Sequence, residues 1–230
     1  MTSTDQKISD ISIIIPTLNE EQNIGALADN LQGTACEIIL VDGGSSDRTI
    51  LLAQELGLRV ERCTGGRAAQ LNYGAACAKG RVLLFLHADT RLPQDFSLPL
   101  LQALSATDVI AGAFSLSIEH EGPALRFIAL CATLRSRLLQ LPYGDQAIFI
   151  AREQFDRLGG FPDLPIMEDF LFVRKAKGLG TIRILSQCVT TSARRWQRKG
   201  IVRTTLINQL VILGFFLHVP PQRLASLYRR

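Results

Sequence analysis

Carboxylates stand at the ends of several apolar runs, where they could bind a ligand. Asp42 follows the run Cys36–Val41 and opens the segment Asp42-Gly43-Gly44-Ser45-Ser46-Asp47. Glycine permits unusual backbone dihedrals and a close approach of a ligand, and the Asp42 carboxylate can accept hydrogen bonds from a base or a sugar. The same residues also suit an ordinary strand-to-helix turn capped by Ser46 or Asp47, and the segment alone favours neither interpretation.

A second carboxylate stands in the triplet His87-Ala88-Asp89, after the apolar run Val82–Leu86. A divalent cation that bridges two phosphates needs a carboxylate oxygen at a rigid strand end. If the strand continues through the triplet, His87 and Asp89 point to the same side, and imidazole suits Mn²⁺ better than Mg²⁺. We therefore expect a divalent metal, Mn²⁺ or Mg²⁺, on Asp89 and His87. A capping aspartate beside a buried histidine is the alternative.

Glu168 and Asp169 are adjacent carboxylates at the start of a predicted helix. Adjacent carboxylates repel each other and burial raises a carboxyl pKa, so one of the two can accept a proton at neutral pH. Removal of a hydroxyl proton during attack on a sugar carbon requires such a group. Acidic residues are also common in the first turn of a helix because they interact favourably with its dipole.

The segment Arg194-Arg195-Trp196 combines two cations with the single tryptophan of the chain. Arginine binds phosphate oxygens in a bidentate manner, and an indole face suits sugar C–H groups or a lipid interface. The polar neighbours of Trp196 in the sequence favour a binding role over a core position. A surface cation–π pair is the alternative.

The elements that must position these residues begin with alternating strands and helices. Apolar strands separated by helices indicate a parallel sheet that is covered on both faces, and ligands bind outside the carboxyl ends of such strands. Asn19 is predicted to cap the first helix, and Gly80 to end the third. The predicted strands are Ile11–Ile15, Cys36–Val41, Leu58–Arg62 and Val82–Leu86, and the third helix is Arg67–Lys79.

Beyond Pro93 the alternation is less regular. We expect one α/β domain over residues 1–191, followed by residues 192–230 as a basic and apolar helical extension of the same domain. Pro220 and Pro221 are predicted to end the helix of that extension. The predicted elements are strands at Val109–Ile118 and Ala147–Ile150 and helices at Leu125–Leu141, Asp169–Lys177 and Ile201–Leu217.

The net charge of +4 hides a strong asymmetry along the chain. Residues 170–230 contain 12 of the 25 Lys and Arg residues and none of the 21 Asp and Glu residues. Such a separation indicates two surfaces with different partners. The basic end could contact nucleotide phosphates or an anionic membrane; nucleic acid is not expected, because a single aromatic residue interrupts the cationic segment Arg194–Arg203.

The sequence also indicates where the protein works. Five widely spaced cysteines without a CxxC pair are typical of reduced cytosolic thiols, and the polar segment Met1–Ser9 does not resemble a secretory signal. The apolar stretch Leu206–Leu217 is shorter than the roughly 20 residues of a bilayer span. With its basic flanks it resembles a peripheral anchor for the inner face of the cell membrane. A helix packed on the core or at a homodimer seam is the alternative.

Taken in order, these segments resemble the family 2 glycosyltransferases of the GT-A fold. The spellings of the triplet at 87–89 and of Ser192-Ala193-Arg194-Arg195-Trp196 look like those of short bacterial members. The resemblance implies a domain that binds a nucleoside-diphosphate sugar. The residues that it assigns to the donor are Pro16, Thr17, Asn19, Glu20, Asp42, Gly43, Arg67, Asn72, Ala88, Asp89 and Arg195.

The resemblance also implies a reaction. Asp169, beside Glu168, would be the base that deprotonates a hydroxyl acceptor, which could be a lipid or a polyprenol. The hydroxyl would then displace the nucleoside diphosphate with inversion. The residues assigned to the acceptor are Gly144, Asp145, Gln146 and Trp196.

The sequence departs from the family pattern at two positions. His87 replaces the first aspartate of the metal motif, and Ser192 replaces the glutamine of the element before Trp196. The second difference argues against a processive polysaccharide synthase. A degenerate, non-catalytic binder of nucleotide sugars and a sugar nucleotidyltransferase are the competing interpretations. The latter would need a glycine-rich loop with arginine where this chain has Pro16-Thr17-Leu18-Asn19.

Overall fold

A computed structural model describes residues 10–119 and 122–229, whose strands form one eight-stranded sheet in the order β3-β2-β1-β4-β7-β6-β8-β5. β1, β2, β3 and β4 pair in parallel, as predicted. Both pairings of β7 and that of β5 with β8 are antiparallel, whereas β6 and β8 are parallel. The strands are β1 Ile11–Thr17, β2 Glu37–Asp42, β3 Arg59–Arg62, β4 Val82–Phe85, β5 Thr90–Arg91, β6 Val109–Glu119, β7 Ile148–Ala151 and β8 Thr181–Ser192.

Helices cover both faces of this sheet, and a 3-10 turn at Gly144–Gln146 precedes β7. The helices are α1 Glu21–Leu31, α2 Thr49–Glu55, α3 Arg67–Cys77, α4 Ser97–Leu104, α5 Pro123–Leu139, α6 Arg152–Leu158, α7 Glu168–Lys177, α8 Arg194–Lys199, α9 Ile201–Phe216 and α10 Pro221–Arg229.

The apolar strands owe their composition to burial on both sides. Ile13 and Ile15 of β1 belong to one core cluster, whereas Ile14 between them belongs to a second cluster on the opposite face. Leu84 and Phe85 of β4 divide in the same way. Because each face is covered, the strands show continuous apolar runs rather than alternation. The sheet is thereby a rigid support for the loops at its carboxyl ends.

The C-terminal extension is a helical hairpin that packs beside the start of α7. A third apolar cluster joins Ile166, Met167 and Phe170 to Ile207 of α9 and Leu224 of α10. The sequence analysis ended the helix of this extension at the prolines and missed α10, which begins with Pro221 at its first position, a place where proline is favoured. No helix among residues 10–119 and 122–229 has the length and apolarity needed to cross a bilayer.

Two local predictions were wrong. Asn19 does not cap α1: its φ is +55°, Glu20 occupies the cap position, and the Asn19 Oδ1 accepts a hydrogen bond from the Ser46 amide at 2.9 Å. Asn19 instead joins the loops that follow β1 and β2. The third helix ends at Cys77, before Gly80, whose close contact with the backbone of Asp10 leaves no room for a Cβ.

Candidate active site

The predicted catalytic pair lies at a small cavity beyond the carboxyl end of β4. The loop before β7 and the first turn of α7 close it from the other side. Its lining combines charged groups with apolar side chains: Arg67, Leu71, Phe85, His87, Gly144, Ile148, Phe161, Glu168 and Asp169. Residues from four separate parts of the sequence therefore meet at one place.

Glu168 is the buried member of the carboxylate pair. It is 1% exposed and forms an ion pair with the Nε of Arg67. Burial raises the pKa of Glu168, Arg67 opposes that change and Asp169 adds to it. Burial alone would lower the pKa of Arg67, but the carboxylates of Glu168 and Asp169 hold it above its ordinary value. Glu168 therefore fixes Arg67 as a permanent cation at the cavity.

Asp169 is held by backbone donors rather than by an arginine. Its Oδ2 accepts a hydrogen bond from the Gly144 amide at 2.7 Å, and its Oδ1 accepts one from the Phe170 amide at 2.8 Å. A Cβ on Gly144 would lie 3.0 Å from that Oδ2 and 3.0 Å from the Nε2 of His87. Glycine at 144 thus permits the close approach of the carboxylate and the imidazole.

His87 belongs to this cavity. Burial and the neighbouring charge of Arg67 lower the pKa of His87 to about 4, although Asp169 opposes the change. The imidazole is therefore neutral near pH 7. Because β4 ends at Phe85, the strand alternation that placed His87 and Asp89 on one side does not extend to them.

Asp89 has different neighbours. Burial and the Glu20 carboxylate raise the pKa of Asp89, and Arg194 lowers it. The Nη2 of Arg194 lies 2.9 Å from the Oε2 of Glu20, and the Ser192 amide donates to the backbone carbonyl of Asp89 at 3.0 Å. The end of β8 thus brings Arg194, a residue that was not predicted for the site, to the carboxylate predicted for the metal.

Arg195 and Trp196 are placed differently from their predicted roles. The Arg195 guanidinium stacks 3.5 Å above the ring of Tyr228 and donates to its carbonyl at 3.1 Å. Trp196 is half-buried against the main core cluster, with its Nε1 enclosed. Arg195 therefore fastens α10, and the indole is part of the packing under α8.

Asp145 links the two halves of the site. Burial raises the pKa of Asp145 to about 6; Arg135 and Arg67 oppose this change, while Asp169 and Asp89 add to it. Its Oδ1 is buried without a hydrogen-bond partner. Because the charges of Asp169 and Asp89 both raise the pKa of Asp145, the three carboxylates lie near one another.

Two predicted contact residues have amides that are already engaged within the protein. Gln146 is fully buried, accepts from the Ser136 hydroxyl at 2.6 Å and donates to the Phe114 carbonyl at 2.9 Å. Asn72 exchanges two hydrogen bonds of 2.8 Å with the backbone of Phe161. The side chains of both residues therefore hold nearby backbone segments in place. Gln146 holds the turn that carries Asp145, and Asn72 holds the loop before α7.

The loops after β1 and β2 carry the residues predicted for the donor. Asp42 is 1% exposed, and its Oδ2 accepts from the Gly44 and Ser45 amides at 2.8 and 3.0 Å. It therefore braces its own turn. Thr17 is buried opposite Asp42 in the β1–β2 register, Pro16 precedes it in β1, and Ala88 packs its methyl group into the core.

Gln70 is a further residue of this region that the sequence analysis missed. Its buried Nε2 donates to the carbonyls of Thr17 and Val41 at 2.9 and 2.7 Å, and a Cβ on Gly43 would lie 3.0 Å from it. A glycine within a helical pattern is the sequence feature that could have pointed to Gln70. Gly74, one turn later in α3, has no room for a Cβ against Ile14, because this helix packs closely on the sheet.

Comparison with known proteins identifies the family. The model of glycosyl transferase family 2 matches residues 12–150. The chain is 36% identical over 114 residues to a dolichol-phosphate mannosyltransferase of Pyrococcus furiosus, covering 45% of this chain and 32% of that protein. It is 30% identical over 120 residues to a 4,4'-diaponeurosporenoate glycosyltransferase of Staphylococcus haemolyticus, covering 48% and 32%. These matches span about a third of the length of either relative.

The fold is similar to that of a mannosyltransferase from Pyrobaculum calidifontis solved in complex with GDP-Man and Mn²⁺. The TM-score is 0.68 at 20% identity, over 88% of this chain and 62% of that one. At this identity the likeness concerns the fold, and it confirms the predicted α/β architecture. Because the family model covers more than half of the sequence, the chain belongs to glycosyl transferase family 2.

Proposed function

We propose that this protein transfers a sugar from a nucleoside-diphosphate sugar to a hydroxyl acceptor, with Asp169 as the base and inversion at the anomeric carbon. The observation that carries the proposal is the position of the Asp169 carboxylate. Two backbone amides aim it at a cavity that also contains the Arg67–Glu168 ion pair. A base must lie within hydrogen-bond reach of the proton that it removes, and the position of this carboxylate at the cavity wall supports that role.

The chemistry follows from the division of labour between the two acids. Asp169 accepts the hydroxyl proton while the hydroxyl oxygen bonds to the anomeric carbon and the bond from that carbon to the phosphate oxygen breaks. The nucleoside diphosphate leaves with the electron pair of that bond. Because Glu168 occupies Arg67 Nε, the terminal Nη groups of Arg67 are the part of the guanidinium that can donate to the departing phosphate.

A divalent cation fits one of the two residues predicted to hold it. Asp89 lies near Glu20 and Asp145, and the charge of these neighbours favours a cation there. His87 packs instead against Gly144. No three His, Cys, Asp or Glu side chains converge on a cation site within residues 10–119 and 122–229. Asp89 together with the diphosphate oxygens of the donor would hold the ion, and the bound ion would neutralise leaving-group charge.

The acceptor proposed here is a hydroxyl of a lipid or polyprenol. Support comes from the names of the relatives, one a dolichol-phosphate mannosyltransferase and the other a 4,4'-diaponeurosporenoate glycosyltransferase. Support also comes from the apolar hairpin α9–α10, whose Phe215 ring lies 5.5 Å from that of Phe170, next to Asp169.

The donor can be identified by thermal shift with UDP-, GDP- and dTDP-sugars, each with and without Mn²⁺. A ligand at 100 times its Kd stabilises the folded state by about 2.7 kcal/mol, so the correct donor raises the Tm measurably. Release of nucleoside diphosphate in the presence of a polyprenol then tests transfer. Binding without any release would identify a non-catalytic binder. Formation of a nucleoside triphosphate from the donor and pyrophosphate would instead identify a nucleotidyltransferase.

A further inference from the structure

Helix α9 is apolar on more than its buried side. Its buried side places Ile207 and Val211 in the third cluster and also encloses polar atoms: the hydroxyls of Thr204 and Thr205 and the amide oxygen of Asn208 accept no hydrogen bond within the described chain. Its outward side carries an apolar line along the whole helix, flanked by the exposed Arg203 and Gln209. The side chains of that stripe are 43–81% exposed: Val202, Leu206, Leu210, Leu213 and Leu217. We refer to these five residues as the α9 stripe.

The α9 stripe is too regular for scattered surface residues. Its members recur every three or four positions, so they form one line on the helix, about 22 Å long at 1.5 Å per residue. Monomeric soluble proteins rarely leave a continuous apolar surface of this kind uncovered. Something apolar is therefore expected to cover it.

Cations surround the N-terminal end of the same helix. Arg195, Arg198 and Lys199 belong to α8 and Arg203 to the first turn of α9, so the four cations lie within nine residues of one another. Burial and the charges of the three arginines lower the pKa of Lys199. No Asp or Glu follows Asp169 in the sequence. An apolar line beside a cluster of like charges fits a surface that is apolar inside and anionic outside.

We propose that the α9 stripe docks this protein on an anionic lipid bilayer, with Val202, Leu206, Leu210, Leu213 and Leu217 entering the acyl boundary while Arg198 and its neighbours contact the headgroups. A nucleic acid would satisfy the cations but would leave the leucines exposed. A second copy of this chain would cover the leucines but would bring two sets of basic residues together. The bilayer satisfies both features.

The docking helix also contacts the first turn of α7. The rings of Phe215 and Phe216 lie 5.5 and 5.9 Å from the ring of Phe170, the residue after Asp169. Docking would therefore hold the candidate base near the bilayer surface. This link to a lipid acceptor rests on the proposed function, whereas the docking itself does not.

Vesicle flotation tests the docking. The full chain is mixed with vesicles of phosphatidylcholine alone, or of equal parts phosphatidylcholine and phosphatidylglycerol, at low and at high salt. The wild-type protein is expected to float with the anionic vesicles at low salt and less at high salt, since salt screens the headgroup contacts. Leu206→Glu with Leu210→Glu should weaken binding at least tenfold, and Arg198→Gln about fivefold.

Leu51→Glu is the matched control, because Leu51 is 49% exposed on α2 and lies outside the hairpin. It should float like the wild type, and circular dichroism should show all variants folded. Absence of flotation at low salt, or equal flotation of the α9 variant, overturns the proposal. The proposal is also overturned if the wild-type protein does not bind vesicles but forms a dimer in analytical ultracentrifugation, and the α9 variant is a monomer. Flotation and nucleoside diphosphate release are measured separately, so each proposal can fail without the other.

Discussion

Replacing Asp169 with asparagine separates catalysis from binding more sharply than any other single change. The amide keeps the size of the carboxylate but cannot take up a proton at neutral pH. General-base catalysis contributes about 10²- to 10⁴-fold, so kcat for nucleoside diphosphate release should fall by that factor. The donor should still raise the Tm as it does for the wild type, because Arg67, Asp89 and the β1 and β2 loops are unchanged.

The structure also predicts a stability cost for this variant. The two oxygens of Asp169 accept from two different backbone amides, Gly144 and Phe170. Asparagine offers one oxygen, so its NH₂ group must face one of these N–H donors. An unsatisfied buried donor costs about 1–3 kcal/mol, which corresponds to a fall in Tm of about 2–10 °C for a chain of this size. Denaturant unfolding measures this cost independently of turnover.

Asp163→Asn is the control, since this aspartate is exposed in the loop that precedes α7. It should retain both activity and Tm. If folded Asp169→Asn turns over within tenfold of the wild type, Asp169 is not the base. If it retains the wild-type Tm, the two amide contacts do not stabilise the carboxylate as argued.

Three further predictions concern the surrounding charges. Burial and Arg67 lower the pKa of His87 from its ordinary 6.5 to about 4 in the folded protein. The free energy of unfolding should therefore fall by about 3 kcal/mol as the pH falls from 6.5 to 4, because only the unfolded state takes up the proton in that range. Urea unfolding of His87→Gln should show a smaller fall over the same range. Burial raises the pKa of Asp145 to about 6, so the ionised carboxylate destabilises the folded state above that pH. The free energy of unfolding of Asp145→Asn should exceed that of the wild type by about 1–3 kcal/mol at pH 8 and equal it at pH 3. An equal increase at both pH values would contradict this reasoning. Arg194→Ala should lower the Mn²⁺ concentration needed for a half-maximal Tm shift, since it removes a competing positive charge near Asp89. Arg195→Ala should instead lower the Tm by loosening α10 and leave that Mn²⁺ concentration unchanged; the reverse pattern would contradict these assignments.

The first half of the fold could be predicted from the sequence because its strands are buried on both faces. Nearly continuous apolar runs such as Ile11–Ile15 and Val82–Leu86 are typical of strands in a sheet that is covered on both faces. They matched β1 and β4 to within two residues. β8 escaped prediction because it is buried on one face over much of its length, and Arg183, Ser186 and Gln187 break its apolar pattern.

The candidate site was predictable in its residue types but not in its pairings. Nothing in the spacing of Arg194 and Arg195 shows which of them faces Glu20 and which stacks on Tyr228. That choice depends on the direction of β8 and on the existence of α10. Trp196 was assigned to the surface from its polar neighbours in sequence, whereas the fold packs it on the core. Such contacts join residues far apart in sequence, which no local pattern records.

The adjacent acids at the start of α7 show why a pair can be recognised in sequence while its roles cannot. Consecutive residues of a helix point about 100° apart, so Glu168 and Asp169 cannot share one environment. Met167, with a φ of +67°, begins the helix at an angle that turns Glu168 inward to Arg67 and leaves Asp169 against the amide of Gly144. Glu168 is thereby committed to an ion pair, and a base that is neutralised by a permanent cation is a poor proton acceptor. Both carboxylates line the cavity, and the geometry favours Asp169 as the proposed base because backbone amides hold it while Glu168 is paired with Arg67.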